Sequence, residues 1–235
     1  MQSRYTPDSV QAWCPMDTRE LYLSNRKHRS DLLRRHGWWD QSAIEYRFNA
    51  QGFRADEFTA SAGTVFLGCS FTVGIGVAYE DTWPRRVSSA LGSACWNLGQ
   101  GAGAMDTCFR LAEHWIPRLR PTRVVIMNTL PARMELIGRD GVPHPYSANH
   151  SGAVPAFLRE WLDHDENIRL NYLKNSWAIR QLCDREQVPF YEWDYDFLYA
   201  CAYSLARDLV HPGVASHHRF AEKVIAHIRS AENIQ

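Results

Sequence analysis

The sequence predicts an α/β fold built on a mostly parallel sheet. Short apolar runs rich in β-formers recur at 64–67 (TVFL), 95–98 (CWNL), 123–127 (RVVIM) and 188–193 (VPFYEW), with helix patterning between and after them. Strand and helix alternating in this way is the pattern of parallel strands joined by crossover helices. Glycines cluster just beyond the first two runs, at the strand ends where such sheets bind ligands.

Residues 1–60 are expected to form an N-terminal extension packing on a main domain of 61–235. Through about residue 43 the extension shows no sustained period and is expected to be irregular, with Trp13, Trp38 and Trp39 available for packing. The stretch 44–60 (IEYRFNAQGFRADEFTA) predicts a short strand ending in a turn at Asn49 to Gly52. After the run at 64–67, closed by Gly68, the segment 81–92 (DTWPRRVSSALG) predicts a helix. Asp81 or Thr82 caps its start, Pro84 fits its first turn and Gly92 ends it. The next helix runs from Met105 to about Leu119, with Leu111, Ala112, Trp115 and Ile116 as its apolar positions, and stops near Pro121. Residues 129–165 are rich in Pro, Gly, His and Asn and sustain no period. That is long for a passive connection and predicts a lid or substrate-binding insertion. A long helix is expected over 167–186. A final amphipathic one is expected over 213–230, with Phe220, Val224, Ile225 and Ile228 on one side.

Charge narrows the function classes. The 26 basic residues balance 26 acidic ones, so no global field attracts nucleic acid or an anionic membrane. No apolar run is long enough to span a bilayer, and the first twenty residues lack the apolar core of a signal peptide. Cytoplasmic residence is the expectation. The six cysteines contain no CxxC pair and are expected to be mostly buried free thiols, which argues against a zinc knuckle.

The segment 64–77 (TVFLGCSFTVGIGV) carries the chemical question. A phosphate-binding loop needs a lysine followed by Ser or Thr after its last glycine, and none is present. Neither Gly74-Ile-Gly76 nor Gly99-Gln-Gly101-Ala-Gly103 completes a dinucleotide fingerprint. Ser70 is then either a helix cap or a nucleophile. A nucleophilic serine needs a base and a group to orient that base. Residues 206–213 (ARDLVHPG) supply Asp208 and His211, three positions apart. On a short turn this spacing lets the carboxylate reach one imidazole nitrogen while the other faces outward. Pro212 and Gly213 then start the last helix.

Taken together, GCSFTVGIGV, NLGQGAG, DLVHPG and the lead-in YRFNAQGFR resemble the SGNH (GDSL-type) hydrolase superfamily, in the right order and over about residue 46 to the end. The resemblance implies a flavodoxin-like three-layer α/β/α sandwich with Ser70 as nucleophile, His211 as base and Asp208 as its orienting carboxylate. It also implies an oxyanion hole from the Ser70 N–H, a glycine N–H at Gly101 with Gly103 behind it, and the Asn128 side chain. An ester substrate follows, either a small molecule or a carbohydrate bearing a short acyl or O-acetyl group, with no metal or cofactor. An O-acyltransferase using the same residues, and a non-catalytic binding protein keeping the fold, are the alternatives.

The sequence departs from the family pattern at two points. The serine block reads Gly-Cys-Ser where the family has Gly-Asp-Ser. Cys69 is therefore a rival nucleophile, although neighbours at a strand end point opposite ways and Cys69 should face the core if Ser70 faces the cleft. The third block ends in MNTL, where Asn128 is either an oxyanion donor or an ordinary strand end. Arg133 is either a surface residue or an anchor for an anionic group. His217 and His218 fall on the last helix about 100° apart, which disfavours a shared metal. His144, His150 and His164 are expected to be exposed. The aromatic residues of 191–199 are expected to pack, with a sugar-stacking platform as the alternative.

Overall fold

The four apolar runs pair side by side in one sheet. The computed structural model describes residues 3–40, 43–147, 154–195 and 203–233. In chain order the strands are β1 (Ser9–Gln11), β2 (Tyr46–Phe48), β3 (Gly63–Leu67), β4 (Ala94–Asn97), β5 (Arg123–Met127), β6 (Arg133–Ile137), β7 (Pro143–Ser147) and β8 (Phe190–Trp193). The helices are α1 (Arg19–His28), α2 (Ser30–Arg35), α3 (Ser70–Val73), α4 (Trp83–Ala90), α5 (Met105–Leu119), α6 (Ala156–Leu162), α7 (Asp165–Arg185) and α8 (Val214–Glu232). The main sheet is parallel throughout, in the order β4-β3-β5-β8. By chain entry this is 2-1-3-4, the order of flavodoxin-like sheets.

The strands are apolar at nearly every position because both faces of the sheet are covered. Val65, Leu67, Val124 and Ile126 point into one core with Leu111, Ala112 and Ile116 of α5 and Ile179 and Cys183 of α7. Phe66, Val125 and Met127 point into the other with Trp83 and Val87 of α4 and Phe220, Val224 and Ile228 of α8. The result is a three-layer α/β/α sandwich. Local signals set the boundaries: the Thr82 hydroxyl caps α4 by accepting from the Arg85 N–H at 3.4 Å, and Gly92 follows its end at φ +62.

Two regions differ from the sequence reading. The stretch through residue 43 is not irregular: it contains β1, α1 and α2. Helix α1 is capped by the Thr18 hydroxyl but buries only Tyr22 and Asn25, so it leaves no apolar stripe in the sequence. Within 129–165 the chain forms the antiparallel hairpin β6–β7 and then α6. Pro143 and Pro145 on a partly buried strand hide the alternation there. Cys14, Tyr22, Leu33, Trp38, Ile44, Tyr46 and Phe48 share a third core with Val73, Ile75, Val77, Ala206 and Leu209, which flank the Ser70 and His211 segments. Among the described residues no helix is long and apolar enough to cross a membrane. His150 and residues 196–199 lie outside the described residues.

Candidate active site

Ser70 stands at the carboxyl end of β3 as the first residue of the short helix α3. The turn between them requires glycine. Gly68 has φ +152, and a Cβ there would lie 2.1 Å from Thr72 Oγ1 and 2.9 Å from the Met127 carbonyl. Gly74, at φ +77, ends the helix and donates its N–H to the Ser70 carbonyl at 3.0 Å.

Asp208 and His211 sit on a tight turn before α8. Ala206 N–H donates to the His211 carbonyl at 2.8 Å, and Gly213 N–H to the Ser204 carbonyl at 2.9 Å. Arg207 N–H reaches the Gly76 carbonyl at 3.0 Å, which ties this turn to the loop following Ser70. One carboxylate oxygen of Asp208 accepts from the backbone N–H groups of Val210 and His211 at 2.9 and 3.0 Å. The other accepts from His211 Nδ1. With its Nδ1 proton committed to the carboxylate, His211 presents a bare Nε2, which accepts from the Ser70 hydroxyl at 2.9 Å. All three side chains belong to buried residues. The Asn25 side chain donates to the Asp208 carbonyl at 3.0 Å, and the Phe71 ring meets His211 edge-on at 5.7 Å. A hydroxyl, an imidazole and a carboxylate in this chain of contacts can pass a proton from Ser70 Oγ to His211 as the oxygen attacks an electrophile.

Cys69 turns the other way. It is 4% exposed and packs with Phe66, Val125 and Met127. The five described cysteines, Cys14, Cys69, Cys95, Cys108 and Cys183, are all free and buried.

The donors expected around Ser70 are distributed unevenly. The Gly101 N–H donates to the Tyr5 hydroxyl at 3.2 Å, beside Ser70. The Gly103 N–H donates back to the Gln100 carbonyl at 3.0 Å. Asn128 sends its amide to Glu192 Oε1 at 2.8 Å; that carboxylate also accepts from Ser176 and Arg180. Arg133 is half-buried and donates to the Gly103 carbonyl at 3.4 Å, linking the hairpin to the glycine loop. A cavity of ≈ 240 Å³ opens over Ser70, walled by Tyr5, Pro15, Met16, Ile75 and Gly101. Its N-terminal wall escaped sequence reasoning, because no local signal connects Tyr5 or Met16 with a serine more than fifty positions away.

The remaining candidates have other partners. His217 is fully buried and accepts at Nδ1 from the Trp83 N–H at 3.2 Å; burial pushes its pKa down to about 3. His218 contacts Asp81 at 2.8 Å. Tyr191 and Trp193 pack at the edge of the α4–α8 core.

Two buried arginines frame the site. Arg54 donates to the carbonyls of Gly74 at 2.6 Å, Val77 at 2.9 Å and Glu45 at 3.2 Å, holding the loop behind α3. Arg207 pairs with Asp17 at 2.7 Å, both side chains being 1% exposed, and Asp17 also accepts from the Tyr46 hydroxyl.

No protein-family model matches the sequence, and no curated protein matches it in a sequence search. Among solved structures the chain is similar to a carbohydrate esterase family 2 enzyme of Corynascus thermopiles (Myceliophthora fergusii), with 18% identity, TM-score 0.41 and coverage of 74% of this chain and 67% of that one. It is similar to the acetyl xylan esterase Est2A of Butyrivibrio proteoclasticus, with 13% identity, TM-score 0.42 and coverage of 75% and 66%. A third is a putative lipolytic protein of the G-D-S-L family from Desulfitobacterium hafniense, with 12% identity, TM-score 0.38 and coverage of 71% and 99%. The chain thus spans about two thirds of the length of the two carbohydrate esterases.

Proposed function

We propose that this chain is an SGNH-type serine hydrolase that cleaves esters of short acyl groups through an acyl-enzyme on Ser70. The observation that carries the reading is the 2.9 Å contact between Ser70 Oγ and His211 Nε2, with Asp208 on the opposite ring nitrogen. Ser70 Oγ attacks the ester carbonyl while its proton passes to His211 Nε2. The tetrahedral intermediate then collapses, and His211 returns that proton to the departing alcohol. A water molecule, deprotonated by His211, attacks the acyl-enzyme, releases the acid and restores Ser70. Asp208 keeps the imidazole in the tautomer that can accept, and it stabilises the imidazolium. The small cavity favours a short acyl group over a long one. Its ≈ 240 Å³ lies below the range of pockets that hold drug-sized ligands.

A fluorophosphonate probe tests the reading, with the parent compared against Ser70→Ala and His211→Ala. The parent is expected to label, Ser70→Ala not at all and His211→Ala far more slowly. A folded parent that does not label refutes the hydrolase and leaves a binding protein. Labelling that persists in Ser70→Ala and disappears in Cys69→Ala transfers the role to the thiol.

A further inference from the structure

The expected third oxyanion donor is engaged away from Ser70, because the Asn128 amide is held by the Glu192 carboxylate on β8. The cavity over Ser70 is lined instead by a residue near the N-terminus. The Tyr5 hydroxyl accepts from the Gly101 N–H at 3.2 Å and lines the same cavity as Ser70.

That placement is over-determined. The Tyr5 ring stacks on Phe48, with centroids 4.6 Å apart and planes inclined by 18°. The preceding residue clamps the strap to the glycine loop: Arg4 N–H donates to Gln100 Oε1 at 3.2 Å, and its guanidinium reaches the Gly101 carbonyl at 3.3 Å and Glu135 at 2.7 Å. Glu135 is anchored in turn by Thr107 at 2.8 Å and by Arg110. The Tyr5 carbonyl packs so closely on Gly52 that a Cβ there would lie 2.5 Å away. Burial raises the phenol's pKa well above its ordinary value, so Tyr5 keeps its proton at neutral pH.

We infer that the Tyr5 hydroxyl is an oxyanion donor of this site, covering the Gly101 N–H and relaying it to the developing charge. The inference rests on the proposed ester chemistry at Ser70. A phenol oxygen has room to accept one hydrogen bond while its own O–H donates another. Accepting from the Gly101 N–H polarises that O–H, so the pair acts as a short cooperative chain aimed at the oxyanion. The proton does not transfer: Tyr5 donates a hydrogen bond to the tetrahedral intermediate and remains a phenol. The N-terminal strap thereby becomes part of the reacting site as well as a wall of the cavity.

Tyr5→Phe removes the donor and keeps the stacked ring. With p-nitrophenyl acetate, kcat is expected to fall roughly 10²–10³-fold, the loss typical of one oxyanion donor, with KM changed less than threefold. The fluorophosphonate labelling rate is expected to fall in parallel. Circular dichroism and the thermal midpoint report whether the variant is folded, and Tyr5→Leu, which abolishes the ring as well, separates lost packing from the lost hydroxyl. A Tyr5→Phe kcat within threefold of the parent overturns the inference. A higher kcat overturns it too, because the hydroxyl would then be blocking Gly101. A parent that neither labels nor hydrolyses refutes the Ser70 chemistry itself, and the Tyr5 role falls with it.

Discussion

Replacing Asp208 by asparagine removes one negative charge and inverts one hydrogen bond while leaving the turn around it in place. The backbone N–H groups of Val210 and His211 both point at one carboxylate oxygen, at 2.9 and 3.0 Å. They select the asparagine carbonyl for that position and push the NH₂ group to where the other oxygen meets His211 Nδ1. Facing a donor, Nδ1 must accept, so the imidazole proton moves to Nε2 and points at Ser70 Oγ, 2.9 Å away. The serine then has no base to receive its proton. In Ser-His-Asp enzymes this exchange of tautomer lowers kcat by about 10⁴, equivalent to about 5.5 kcal/mol of barrier. Stability should change by less than about 1 kcal/mol, a shift of about 2–4 °C for a chain of this size. Steady-state hydrolysis of p-nitrophenyl acetate, fluorophosphonate labelling rates and thermal unfolding together measure both effects. A folded Asp208→Asn within tenfold of the parent, in a protein that Ser70→Ala inactivates, would show that Asp208 does not orient the base.

Asp17→Asn removes the counter-charge of the buried Arg207, and breaking a buried pair in this way is expected to cost about 3–5 kcal/mol. Urea unfolding should show a lower midpoint at an unchanged slope; a loss under 1 kcal/mol would mean that the arginine finds water or another partner. His217 makes the fold acid-sensitive in a definable window. Its folded pKa of about 3 lies below the unfolded value near 6.5, so its contribution is fully present above pH 6.5 and drains away as pH falls toward 3. Between pH 6.5 and 4.5 the parent should lose about 2 kcal/mol that His217→Gln does not lose. Parallel pH–stability curves for the two proteins would refute the assignment.

The main sheet was legible because burial on both faces makes its strands apolar at almost every position, a signal that needs no partner to read. Ser70, Asp208 and His211 were legible for another reason: a glycine turn after a strand and a carboxylate three residues before a histidine are local patterns, although their meeting is not. What escaped depends on contacts between distant residues. Helices α1 and α2 bury few side chains and bury some of them through polar groups, such as Asn25 on the Asp208 carbonyl. The turning of Asn128 toward Glu192 depends on a strand 64 positions later. The approach of Tyr5 to Gly101 spans 96 positions and carries no sequence period.

The Asp17–Arg207 pair joins residues 190 positions apart, and its neighbours Asn25–Asp208 and Trp38–Leu205 span almost as much of the chain. Closing so large a loop is entropically uphill until the contacts at its base form together. Such long-range pairings slow folding and come late in it. The sheet and its helices are therefore expected to assemble first, with Ser70 on its turn and α8 packed, and with residues 205–211 not yet held by Asp17, Asn25 and Trp38. Chemical competence would then be gained in one final step, when the N-terminal segment docks on the turn that carries Asp208 and His211. In a refolding experiment, fluorophosphonate reactivity should lag behind the recovery of helical signal.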